Sequence, residues 1–184
     1  MTLLASSGQL RASFIRWALV CIPLVVLLGF LSGKVAQSGP ENPWFAALVK
    51  PEAYPPPQIF GIVWTALYIL MGLALATILS ARGARGRGLA VIVFLVQFAL
   101  NLAWSPVFFG AHQMTGGLML IAILDVVALI TVFLFSKVRS VAAMLLVPYV
   151  AWLFFATYLN FAFLQANPAM DGAAGNGAVV RYEI

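Results

Sequence analysis

Residues 50–71 read KPEAYPPPQIFGIVWTALYILM. The first part is a proline-dense loop, and the second enters a long apolar run. Pro51, Pro55, Pro56 and Pro57 cannot occupy a helix interior, because proline lacks an amide N–H and its ring clashes with the preceding turn. Each proline also pushes the residue before it toward extended geometry. Residues 50–57 are therefore expected to form a stiff, non-helical lid. Pro57 suits the first position of a helix, where the missing N–H is no loss. The helix that follows carries Trp64 and Tyr68 four residues apart, on one face.

Composition identifies the solvent around that helix. Hydrophobic residues make up 64% of the chain and charged residues only 8%, with a mean hydropathy of +1.05. Soluble domains carry about 25% charged residues. Most of this surface must face lipid, which predicts an all-α integral membrane protein. The net charge of +5 does not mark a nucleic-acid surface, since the basic residues are scattered between apolar blocks without aromatics among them. Cys21 is the single cysteine, so no disulfide framework exists.

Five apolar segments follow one another. Arg11 and Arg16 precede the first, Trp17 to Gly33. A basic start, an apolar middle and the small-x-small run Ala36-Gln37-Ser38 fit a signal peptide cleaved before Gly39. The same residues fit a first membrane helix, with Trp17 as interfacial anchor and Lys34 reaching the far interface. Gly29 and Gly33 form a GxxxG pair suited to close helix approach. A long loop, 37–57, leads to the second segment, 58–81, which as a helix spans about 36 Å, enough for a hydrocarbon core of about 30 Å. The glycine-arginine turn 82–88 precedes the third segment, 89–109. The fourth is 116–136 and the fifth 141–165, bent by Pro148. A domain of residues 17–166 is thus flanked by an N-terminal extension, 1–16, and a Gly/Ala-rich tail, 167–184, expected to be disordered.

Five spans put the ends of the domain on opposite sides. Seven basic residues fall on the side of Arg11, Arg85 and Lys137, against three on the side of Lys34, Lys50 and Arg181. Positive residues favour the cytoplasmic side, so the N-terminus is expected inside and the proline lid outside. The lack of an Arg/Ser-rich amphipathic presequence points to a bacterial cell envelope.

Polar and aromatic residues inside the spans are the candidate site. Gln97, Asn101 and Trp104 share one face of the third segment, and Tyr149, Trp152, Ala156 and Asn160 form a stripe along the fifth. Unpaired polar groups are costly in hydrocarbon, so these faces turn inward. Either they are inter-helix glue and plain core, or they line a ligand site. Their convergence with Trp64 and Tyr68 suits a large, flat, mostly apolar ligand. Asp125 lies mid-span in the fourth segment. It is a proton or cation relay, or else a protonated acid bonded to a Ser, Thr or Asn of a neighbouring helix. Ala99 and Ala103 form a small-xxx-small pair, for a second subunit or for internal packing. One histidine and one cysteine supply neither a hydrolytic set nor a metal cluster. His112, in the turn after the third segment, is a candidate haem ligand.

Three blocks carry a resemblance. They are Trp44 with Lys50-Pro51, Pro55-Pro56 and Phe60-Gly61-x-x-Trp64-Thr65-x-x-Tyr68-x-x-Met71-Gly72; Gln97-x-x-x-Asn101-x-x-Trp104-Ser105-Pro106-Val107-Phe108-Phe109-Gly110; and Pro148-Tyr149-x-x-Trp152-x-x-x-Ala156-Thr157-x-Leu159-Asn160. In order and spacing the chain resembles the TspO/MBR family of translocator and tryptophan-rich sensory proteins, also called peripheral-type benzodiazepine receptors, over about residues 17–167. The resemblance implies a five-helix bundle, commonly a homodimer, with a pocket capped by the loop between the first two spans. It implies binding of protoporphyrin IX or haem-type tetrapyrroles and of drug-like ligands, with no obligatory cofactor. By that match Trp44 and Tyr54 come from the lid, and Trp64, Asn101, Trp104, Tyr149, Trp152 and Ala156 line the pocket. Some bacterial relatives are similar to light-dependent porphyrin-degrading proteins, which makes Trp64 and Trp152 candidate reactive groups. Two features depart from the pattern. Ala53 stands where the lid often has an aromatic, and Phe161, Ala162 and Gln165 replace the tyrosine and arginine of the animal sterol-recognition stretch. The expected function is a membrane protein that senses, carries or clears tetrapyrroles. The alternatives are photochemical degradation of porphyrin and secondary transport through Asp125.

Overall fold

The computed structural model describes residues 7–173. Among them there is no strand, and five helices are long and apolar enough to cross a membrane. Helix α1 is Ser7–Val35, the short α2 is Pro43–Ala47, α3 is Pro57–Ser80 and α4 is Arg87–Ser105. A π-helical turn, Pro106–Gly110, extends α4; then come α5, Met114–Val138, and α6, Ser140–Ala166. A single 3₁₀ turn, Pro168–Met170, follows.

The few polar residues of the spans turn inward, while large apolar side chains face outward, as lipid requires. Gln97, Thr131 and Asn160 are buried, whereas Ile62 is 68% and Met144 69% exposed. Several hydroxyls on the spans are satisfied within their own helices: Thr77 donates to Leu73 O at 2.8 Å and Thr131 to Val127 O at 2.8 Å. Helix α1 packs along α3, and α6 touches both α3 and α5. Two glycines permit the α1–α3 approach. A Cβ on Gly29 would lie 2.2 Å from the Tyr68 ring, and one on Gly72 would lie 2.7 Å from Ile22 Cα. The GxxxG reading holds for its first member only, since a Cβ on Gly33 would meet nothing nearer than Ser38, at 3.9 Å.

The lid follows its prolines. Residues 49–56 are non-helical and α3 opens at Pro57. The loop 37–57 is nonetheless not all irregular. Asn42 accepts from Phe45 N at 3.0 Å and caps α2, with Pro43 at its first position. At both ends the domain reaches further than expected. Helix α1 already includes residues 7–16, of which Phe14 packs against the core. Residues 167–173 are ordered by hydrogen bonds to the lid and to the α4–α5 turn, so the tail does not begin at 167. The remainder of the expected disordered tail, and residues 1–6, lie outside the described residues.

Buried side chains form two groups. One fills the basic end of the bundle around Phe94, Phe135 and Leu146. The other sits beneath the lid and is mainly aromatic: Trp44, Phe45, Phe108, Phe109 and Phe163. Between them the helices part.

Candidate ligand cavity

A hollow of about 860 Å³ opens where the helices part, roofed by the lid. Its walls come from the end of α1, the lid, α3, α4 and its π turn, α5 and α6. Most of the expected site residues line it: Tyr54 from the lid, Trp64 and Tyr68 from α3, Asn101 and Trp104 from α4, and Trp152, Ala156 and Asn160 from α6.

The rings support one another. Tyr54 stacks on Phe60 at 5.5 Å, and the edge of Phe60 meets Trp152 at 5.8 Å. Trp64 lies 5.2 Å from Tyr68. Trp104 stacks on Phe108 at 4.9 Å and donates its indole N–H to Asn160 Oδ1 at 3.2 Å. Asn160 in turn donates to Met114 O at 2.9 Å. Gly117 leaves room for the Trp104–Asn160 bond, since a Cβ there would lie 3.0 Å from Asn160 Oδ1 and 3.4 Å from Trp104 Nε1.

The floor is a chain of neutral polar groups. Tyr68 donates to Asn101 Oδ1 at 3.3 Å, Asn101 Nδ2 to the Tyr149 hydroxyl at 3.4 Å, and that hydroxyl to Gln97 Oε1 at 2.8 Å. Tyr149 is thus one step behind the wall. It is fully buried and does not line the hollow, because it packs against Asn101 rather than beside Trp152. The Asn101 face therefore serves both as inter-helix glue and as wall. Asp125 is also off the wall, accepting from Thr157 on α6 at 2.8 Å.

Trp44 does not line the hollow either. Its indole N–H donates to Met170 O at 3.1 Å, and its ring stacks on His112 at 4.8 Å. It anchors the lid. His112 is not a wall residue; its Nδ1 lies 3.2 Å from Ala173 O. Asn167 completes the anchor: it accepts from Val49 N at 2.7 Å and donates to Val49 O at 3.0 Å. Asp171 caps the start of α5, accepting from Met114 N at 2.6 Å and Thr115 N at 3.1 Å. Within the lid, burial pushes the Tyr54 phenol above its ordinary value and the Lys50 ammonium below its own. Lys50 nevertheless caps the end of α2, donating to Phe45 O and Leu48 O.

Sequence reasoning missed the phenylalanines Phe45, Phe60, Phe108, Phe109 and Phe163, all on the wall. It also missed the mouth, where Lys34, Gln37, Ser38 and Glu41 form a polar rim. Among the described residues no three of His, Cys, Asp or Glu converge on one point. The arrangement is suited to enclosing a broad apolar body, with hydrogen-bonding groups at the floor and rim.

Known proteins resemble this chain in sequence. A family model described as TspO/MBR family matches residues 21–165. The tryptophan-rich protein TspO of Chlorobaculum tepidum is 40% identical over 150 residues, covering 81% of this chain and 94% of that relative. The human translocator protein is 36% identical over 147 residues, 79% of this chain and 87% of its own length. The protein CrtK of Rhodobacter capsulatus is 36% identical over 128 residues, covering 68% and 79%. With five apolar helices enclosing an aromatic hollow, this chain is an integral, multi-pass membrane protein that belongs to the TspO/MBR family.

Proposed function

We propose that this protein binds porphyrin- or haem-type tetrapyrroles, and drug-like apolar molecules of similar breadth, in the hollow between its helices. The binding serves sensing, transport or clearance. One observation carries the reading: a hollow of about 860 Å³, open at its mouth and walled by Trp64, Trp104, Trp152 and the lid ring Tyr54. Ligand sites run to about 300–1,000 Å³ and are mostly aromatic and apolar with a few polar groups. A flat macrocycle gains stacking area from such walls. Relatives named translocator protein and tryptophan-rich sensory protein support the same direction. The test is a titration of protoporphyrin IX against tryptophan fluorescence in nanodiscs. Saturable quenching is expected; quenching that stays linear rejects the reading.

A second reading, light-dependent degradation of the porphyrin, is favoured by Trp64 and Trp152 both lining the hollow. Illumination of the aerobic complex should then bleach the porphyrin band, and more slowly in Trp152→Phe. Equal bleaching rejects a reactive role for that residue. Transport through Asp125 has less behind it, since that carboxylate bonds Thr157 away from the wall. For orientation, we place the basic turn of Arg82, Arg85 and Arg87 inside and the lid outside, in a bacterial envelope. For self-association, the exposed α4 face beside Ala99 and Ala103 is the proposed homodimer surface. Disulfide trapping of Ala99→Cys checks that surface.

A further inference from the structure

Among the described residues, two non-glycine residues have left-handed backbone, Gln37 at φ 51° and His112 at φ 57°. This conformation is unfavourable for any residue with a Cβ, and it persists where something compensates. At His112 the compensation is visible: its ring stacks on Trp44, and its carbonyl accepts from Gly172 N at 2.8 Å. At Gln37 it is not. Gln37 closes α1 at the position where glycine is the usual residue, with its N–H on Lys34 O at 3.1 Å and the next N–H, of Ser38, on Gly33 O at 2.9 Å. Those are backbone bonds, which glycine would form with less strain. The Gln37 side chain is exposed, makes no hydrogen bond to the described residues, and lines the mouth of the hollow.

We propose that Gln37 is a specificity residue whose amide hydrogen-bonds the polar, carboxyl-bearing edge of the ligand at the mouth of the hollow. This rests on the tetrapyrrole reading above. The rim favours an amide for this task. Lys34 and Glu41 carry opposite charges there, so discrimination comes from directed hydrogen bonds rather than from net charge. The ligand lies with its apolar ring on the aromatic walls and its oxygen-bearing edge at the rim.

Strain and recognition make opposite demands, which gives the test two signs. Gln37→Gly relieves the backbone and removes the amide. Its melting temperature in nanodiscs should rise by about 2 °C, while affinity for protoporphyrin IX falls about three- to tenfold. An all-alkyl porphyrin of the same ring should bind both forms equally. Gln37→Asn tolerates the same backbone and keeps an amide, so it should retain more affinity for protoporphyrin IX than the glycine variant. A lowered melting temperature in Gln37→Gly would make the residue structural and overturn the proposal. So would unchanged protoporphyrin IX affinity, or an equal loss for the all-alkyl ring. If neither porphyrin binds the wild type, the tetrapyrrole reading fails as well. If both bind and Gln37→Gly leaves both alike, only this inference fails.

Discussion

Trp104 and Asn160 meet in the wall of the hollow, indole N–H to amide oxygen, at 3.2 Å. The bond joins α4 to α6, and through Met114 O it reaches the start of α5. Three helices are therefore registered at the height of the ligand wall. Asn160→Ala leaves the part-buried Trp104 indole N–H without its partner and removes the side-chain tie to Met114 O. The expected loss is about 1–3 kcal/mol, read as a lowered melting temperature in detergent. Unchanged stability would show that the amide does not register the helices.

The α1–α3 seam depends on missing side chains. Gly72→Ala would push a Cβ to 2.7 Å from the Ile22 backbone, where no side-chain rotation relieves it. A loss of about 1–3 kcal/mol is expected. Gly33→Ala has room and should stay within about 0.5 kcal/mol of wild type. Thermal unfolding of the two variants side by side checks the contrast.

Asn167 holds the lid through both backbone groups of Val49. Asn167→Ala should leave the bundle folded and release the roof. Loss of about 1.4 kcal/mol of lid closure corresponds to a roughly tenfold faster ligand dissociation. Stopped-flow displacement of protoporphyrin IX measures it; an unaltered off-rate would mean the lid is not the gate.

Tyr54 gives the lid an alkaline limit. Burial raises its phenol above the ordinary 10.0, so the closed lid favours the neutral form. That contribution is fully present below pH 10, and it is lost as pH rises through the closed-state value. Lys50, shifted down by burial, acts in the opposite sense, so the comparison needs a variant at Tyr54 alone. Ligand dissociation should accelerate above pH 10 in wild type and accelerate less in Tyr54→Phe. Parallel pH profiles would exclude Tyr54.

The spans were legible because lipid leaves little choice: long apolar runs punctuated by Pro57, by Gly83 and Gly86, and by basic turns have few other structures. The polar wall was legible for the same reason, since Asn101 and Asn160 inside hydrocarbon must find partners. Trp44 and Tyr149 show where that logic stops. Each is an aromatic with a polar tip, and the tip decides its orientation. Trp44 turns to Met170 O in a Gly/Ala-rich stretch that carries no periodic signal. Tyr149 turns to Gln97 and Asn101. The wall phenylalanines were invisible for the opposite reason. Fourteen phenylalanines in an apolar chain look alike whether they face lipid, core or cavity. The π turn at Pro106–Gly110, which brings Phe108 and Phe109 under the lid, follows from Pro106 lacking an N–H, but its register is fixed only by packing.

Ala156 is the small residue on the wall between Trp152 and Asn160, which makes it the place to close the hollow without cutting a hydrogen bond. The decisive measurement is protoporphyrin IX binding to wild type and to Ala156→Trp in the same nanodiscs, with the melting temperature recorded for both. Saturable binding to wild type, absent from a stably folded Ala156→Trp, is the result expected of a ligand held between the helices. Equal binding to both would put the porphyrin outside the hollow and contradict the account.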